Sequence, residues 1–193
     1  HRKLRYLAAS TSDSKKDQEN NVRRSMNDYD IVILDLSKII NTRLRILYAL
    51  LTLKMLELSV IEGRLSNVLI VIDEAHNILP SRSYEGVSIV KRLLAEMRKW
   101  RIGFVIASQS PSSIAADVLK NTNTKIIHAI KSNADKKVIV DSIVMRKELE
   151  NVLPYLRVGE AIVTTPETME PVIVRIDPRP IYNISDENLC EIS

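Results

Sequence analysis

Five consecutive aliphatic residues, Val68-Leu69-Ile70-Val71-Ile72, run straight into two carboxylates, Asp73 and Glu74. An apolar run without alternation suits a strand buried on both faces of a sheet, with the acids emerging at its C-terminal end. In open α/β sheets, ligands collect in the crevice beyond those strand ends. Two adjacent acids placed there match what nucleotide hydrolysis needs: one positions Mg²⁺ and its neighbour polarises the attacking water. A buried strand with a merely acidic exit would show the same residues, so the flanking segments decide between the two.

Those segments alternate between strand and helix signals. Residues 31–36 form a second apolar strand candidate, and Asn41 or Thr42 can cap a helix running to about Glu62, with Gly63 as its stop. Residues 46–61 of that helix are the most apolar part of the chain. They are too few, and too interrupted by Thr52, Lys54 and Glu57, to span a bilayer, and they suit a helix sandwiched inside a fold. After the acidic strand comes a loop with Pro80 and several serines. A helix over about 87–100 follows, with Ile89, Val90, Leu93, Leu94 and Met97 on one face. The strand Phe104 to Ala107 ends in Ser108-Gln109-Ser110-Pro111, and Ser112 or Ser113 is the expected cap of a short helix to Leu119. Residues 125–130 read as a strand. Asn133 then caps a helix, and a shorter helix holding Leu149, Val152 and Leu153 stops near Pro154. Residues 159–165 and 172–176 read as a hairpin. The sum is an α/β fold: a mainly parallel, three-layer sheet with an antiparallel hairpin at its end. Residues 1–29 are expected to be a polar linker or the end of an upstream subdomain, 30–177 the main domain, and 178–193 a tail.

Composition narrows the function classes. At 193 residues and 45% hydrophobic, the chain can bury one sizeable core. A net charge of +4 permits contact with nucleic acid without demanding it. Aromatics at 4% are too few for a base-stacking platform. Cys190 stands alone, so no disulfide framework or thiolate zinc site can form, which fits a reducing cytoplasm. The four glycines, Gly63, Gly86, Gly103 and Gly159, do not pair at the spacing of a phosphate cradle or a dinucleotide fingerprint, and no Gly-Lys-Ser/Thr occurs. His128 interrupts an apolar strand and reads as structural. His76, two residues after Glu74, either couples that site to a neighbour or makes a loop hydrogen bond.

If the strands ending at Asp73 and Gln109 are neighbours, the two acids and the amide face one crevice, where the amide can sense a γ-phosphate or the attacking water. A strand-end amide also serves loop carbonyls. Arg98, near the end of the intervening helix, could reach an adjacent subunit's phosphates, or could simply complement the helix dipole.

Taken together, three segments carry a resemblance: Asp73-Glu74-Ala75-His76-Asn77, the stretch from Ala95 to Gly103, and Ser108-Gln109-Ser110-Pro111. In that order, with Ile33 to Ser37 before them and the stretches 117–126 and 153–161 after them, the chain resembles the HerA/FtsK superfamily of hexameric DNA-pumping ATPases, and within it the HerA-like branch. The similarity covers roughly residues 30–177. It implies a RecA-like (P-loop NTPase) core in a homo-oligomeric ring around DNA, using ATP and Mg²⁺, soluble in the cytoplasm and in some members partnered with a nuclease. Asp73 would hold Mg²⁺ through water, Glu74 would activate the hydrolytic water, and Gln109 would read the γ-phosphate. Arg98 would be the arginine finger acting in trans, typically worth about 10³–10⁵ in rate.

One family element is missing. The Walker A loop and its strand lie upstream of Ile31 in the family, and this sequence does not contain them. Without them no backbone cradle holds the β- and γ-phosphates, and the sheet lacks a central strand. The expectation is therefore a C-terminal portion of a longer ATPase, inactive by itself; a split or degenerate paralogue is the lesser alternative. Two other readings compete. Asp73-Glu74-Ala75-His76 also fits a DEAH-type superfamily 2 helicase, but that class expects a Ser-Ala-Thr motif where Ala107-Ser108-Gln109-Ser110 stands. A nucleotide-inactive ring scaffold or nuclease-docking subunit would have no need to retain Asp73, Glu74 and Gln109.

Overall fold

The computed structural model describes residues 4–8, 28–81, 96, 99, 101–168 and 170–177. Strand β1 (Leu4–Ala8) lies parallel to β2 (Ile31–Asp35), in register from Leu4 opposite Ile31 to Ala8 opposite Asp35. β1 lies in the stretch that the sequence gives to a polar linker or the end of an upstream subdomain. Leu4, Tyr6, Leu7 and Ala8 give a short strand whose backbone is satisfied by β2, and the Arg5 guanidinium sits 5.8 Å from the Tyr29 ring centroid.

Helix α1 (Thr42–Ile61) begins at Asn41, whose side-chain oxygen accepts from the Arg43 and Leu44 N–H groups at 3.0 and 3.2 Å. It ends where Gly63, at φ +71°, takes up a left-handed conformation that a side chain would resist. Ala49, Leu50, Leu53 and Val60 are buried, and the buried Glu57 is neutralised by Lys54 three residues earlier. Leu47, Leu51 and Ile61 are exposed, so the helix is packed on one side by the described residues rather than sandwiched.

Strand β3 (Leu69–Ile72) pairs in parallel with β4 (Gly103–Ile106). One face of this pair, Ile70, Ile72, Phe104 and Ile106, joins Leu50, Leu53, Val60, Leu79, Ile114 and Val118 in the first core. The other face is open: Leu69 is 65% exposed and Val71 64%. The expectation of a strand buried on both faces therefore holds for one face only.

After β4 come a 3₁₀ turn (Pro111–Ser113), α2 (Ala116–Asn121) and β5 (Lys125–Ile127). Ser112 and Ser113 lie within the 3₁₀ turn and do not cap α2, whose N-cap position is held by Ala115 without a side-chain hydrogen bond. Helices α3 (Asn133–Val140) and α4 (Lys147–Val152) follow, the first capped by Ser132. Strands β6 (Glu160–Thr164) and β7 (Val172–Arg175) form the expected hairpin. β5 also pairs antiparallel with β6, so the antiparallel part has three strands. Beneath it a second core gathers Ile127, Ile139, Leu153, Leu156 and Ile162, and Leu119 of α2 packs against both cores. Among the described residues the three ladders, β1–β2, β3–β4 and β5–β6–β7, are not hydrogen-bonded to one another. The architecture is α/β, with parallel and antiparallel pairs flanked by helices.

Ile162 is fully buried and its neighbour across the hairpin, Ile173, is 48% exposed. Ile162→Ala is expected to cost about 2–5 kcal/mol in urea unfolding, against less than about 1 kcal/mol for Ile173→Ala. Equal losses would show that Ile162 is not a core residue.

Candidate functional site

The β3–β4 ladder continues past the strands. The Ala107 N–H donates to the Ile72 carbonyl and the Ala75 N–H to the Ala107 carbonyl, both at 2.9 Å. This lacing brings the residues after Ile72 and those after Ile106 to the same end of the sheet. Asp73 and Gln109 are exposed there, and Glu74 is half-buried.

Glu74 has a left-handed backbone, φ +46° and ψ +47°, a conformation that costs a non-glycine residue about 1–2 kcal/mol. Its own groups hold it there. Its N–H donates to Asp73 Oδ1 at 2.9 Å, and its carbonyl accepts from the Asn77 N–H at 2.9 Å as the chain enters a 3₁₀ turn (Ala75–Asn77). Ala75 is fully buried and anchors the turn on the first core.

The two oxygens of the Glu74 carboxylate have different surroundings. Oε1 accepts from the Gln109 amide at 2.6 Å, a short bond of the kind a charged acceptor makes. Oε2 is buried with no hydrogen-bond partner, and His76 Nδ1 lies 3.3 Å from it. The same Nδ1 is 3.1 Å from Ser108 Oγ, which also accepts the Ser110 N–H at 3.1 Å. The structure thus brings Asp73, Glu74 and Gln109 together as the sequence anticipates. Arg98 lies outside the described residues. His76 touches both the acid and the opposite loop, which joins the two roles left open for it. His128 Nδ1 instead meets the Glu160 carbonyl at 3.0 Å in the antiparallel sheet, a structural bond. Ser108 is the residue that sequence reasoning passed over; its signal was a hydroxyl directly between an apolar strand and Gln109.

The loop carrying Gln109 is fixed on its far side as well. Pro80 bridges Ile114, the Ser81 N–H reaches the Ser113 carbonyl at 2.8 Å, and the Ser112 N–H reaches Asp135 Oδ1 of α3 at 2.8 Å. Burial works to raise the Asp135 carboxyl, but the Ser112 N–H and the Ser112 and Ser132 hydroxyls outweigh it and hold the group below its ordinary value of 3.8.

Among the described residues no three His, Cys, Asp or Glu side chains cluster to cage a metal. Mg²⁺ needs no such cage, since one carboxylate, waters and substrate phosphates suffice for it. The exposed Asp73 at the sheet's mouth fits that requirement. Nor is any helix among the described residues long and apolar enough to cross a membrane.

No family model matches the chain. Curated relatives do. A probable DNA double-strand break repair helicase HerA of Methanocaldococcus jannaschii is 35% identical over 112 residues, 57% of this chain and 22% of the relative. The DNA double-strand break repair helicase HerA of Pyrococcus furiosus is 32% identical over 111 residues, 56% and 20% of the two. The chain therefore spans about a fifth of the length of the curated relatives it matches. Among solved structures, the genome-packaging NTPase B204 of Sulfolobus turreted icosahedral virus 2 superposes with a TM-score of 0.64 at 11% identity, covering 92% of this chain and 83% of that one. VirB4 of Thermoanaerobacter pseudethanolicus superposes with a TM-score of 0.64 at 16% identity, covering 79% and 43%. B204 has been solved with ATP-gammaS and with AMPPCP. At these identities the superpositions establish the fold alone, an α/β fold of the RecA-like type.

A carboxyl whose folded value is depressed contributes stability above its unfolded value and loses it as the pH falls through the folded one. Asp135→Asn is therefore expected to lower the unfolding midpoint at about pH 7, with the gap to the unsubstituted protein closing as the pH falls below the ordinary value of 3.8 and through the lower folded one. A gap of the same size at both pH values would remove the charge from the account.

Proposed function

We propose that this chain, similar to HerA helicases over the stretch it shares with them, supplies the hydrolytic face of a ring ATPase that moves or unwinds DNA. The 2.6 Å bond between Gln109 and Glu74 carries the reading, because it joins a carboxylate and a neutral amide across the ends of two adjacent parallel strands. Glu74 is the general base that takes a proton from the attacking water. Gln109 is the reader of the terminal phosphate, its amide free to leave Glu74 for a phosphate oxygen. Asp73 would hold Mg²⁺ through water, and the ion would supply positive charge against the phosphates. Arg98 would act on the nucleotide of the neighbouring subunit in a ring, a hexamer by the family pattern. DNA would be held through its phosphates without sequence preference, so that binding weakens steeply as salt rises. A partner nuclease and a cytoplasmic setting belong to the same proposal, as does the assignment of residues 30–177 to the ATPase portion.

In the complete protein, Glu74→Gln is expected to retain ATP while turnover falls by about 10²–10⁴. Hydrolysis at the unsubstituted rate would take the base role away from Glu74. In rings mixed with unsubstituted subunits, Arg98→Ala is expected to silence the nucleotide of the adjacent subunit. Loss confined to the altered subunit's own nucleotide would refute action in trans.

A further inference from the structure

The Gln109 bond cannot be what holds Glu74 during the reaction, because the reading above requires that amide to turn toward phosphate. Once it turns, Oε1 is left without its donor. The side chain then has rotatable bonds to spare, and a misplacement of about 1 Å in a reacting group costs about 10² in rate. The other oxygen shows what is left to hold it. Oε2 is buried and has no hydrogen-bond partner, and His76 Nδ1 stands 3.3 Å away. A buried carboxylate oxygen facing a bare imidazole nitrogen would be two acceptors in contact, an unfavourable pair. A proton on Nδ1 turns the pair into donor and acceptor.

We propose that His76 is a positioning residue for Glu74, holding Oε2 through an Nδ1–H while Gln109 leaves to engage phosphate. The proposal rests on the base role given to Glu74 and adds the group that aims it. Ser108 keeps the ring in place. Its Oγ lies 3.1 Å from the same Nδ1 and accepts the Ser110 N–H at 3.1 Å, so the one Nδ1–H is shared between Ser108 Oγ and Oε2, and the segment after β4 orients the ring toward Glu74, two residues after β3. His76 lies three positions after Asp73, within the 3₁₀ turn that is seated on the buried Ala75.

The test is steady-state ATP hydrolysis by the complete protein with Mg²⁺, alongside binding of a fluorescent ATP analogue. His76→Ala is expected to lower kcat by about 10–100-fold with KM and analogue binding within about twofold of the unsubstituted protein. Asparagine places an amide nitrogen where Nδ1 stands, whereas glutamine places one where Nε2 stands. His76→Asn is therefore expected to recover kcat to within about fivefold, and His76→Gln to stay as slow as His76→Ala. The Asn–Gln comparison serves on its own if His76→Ala does not fold. Full activity in His76→Ala, equal rates for the Asn and Gln variants, or a loss appearing in KM and not in kcat would each overturn the proposal. Glu74→Gln run in the same assay separates the two levels. Its normal turnover would remove the base role itself, whereas an inactive Glu74→Gln beside a fully active His76→Ala would remove only the positioning.

Discussion

The parallel ladder between β3 and β4, carried two bonds further by Ala107 and Ala75, sets the register on which the whole sheet mouth depends. Side chains alternate along a strand, so a slip of one residue would turn Ile72 and Ile106 out of the first core and carry Glu74 away from Gln109. The core and the site are thus specified together. Apolar residues on the inward face hold the register, and the register sets the distance between acid and amide.

At the sheet mouth the backbone strain of Glu74 is supported from several sides. Glu74 occupies the left-handed region, yet its N–H, its carbonyl and its carboxylate all have partners or close neighbours. The opposite loop is held by Pro80, Ser81 and Asp135, so Gln109 projects from a fixed base. An exposed amide on an anchored loop and a half-buried acid on a strained turn are suited to different work: the first can move to a ligand, the second is kept aimed.

Much of this was legible in the residues. Val68 to Glu74 announced a strand with an acidic tip because an aliphatic run and a carboxylate pair are local signals. Asn41 and Gly63 marked the ends of α1 for the same reason. β1 was not legible, because Leu4–Ala8 is short, sits among basic and polar residues, and owes its strand state to pairing with β2. Ser112 and Ser113 misled because a serine before a helix resembles a cap, while here the turn containing them hydrogen-bonds to α3 and to the residue after Pro80. Proximity of Glu74 and Gln109 followed from assuming neighbouring strands. The approach of His76 to Ser108 did not, since it depends on how the 3₁₀ turn aims one ring across a gap of 32 positions in the chain.

Leu119 belongs to neither core alone. It lies against the apolar group beneath the parallel pair and also against the one beneath the antiparallel strands. A single shared aliphatic side chain makes the two halves thermodynamic neighbours: loosening either removes contacts from the other. Melting of the hairpin side would therefore be felt at the carboxylates, although no atom of β6 or β7 need touch them.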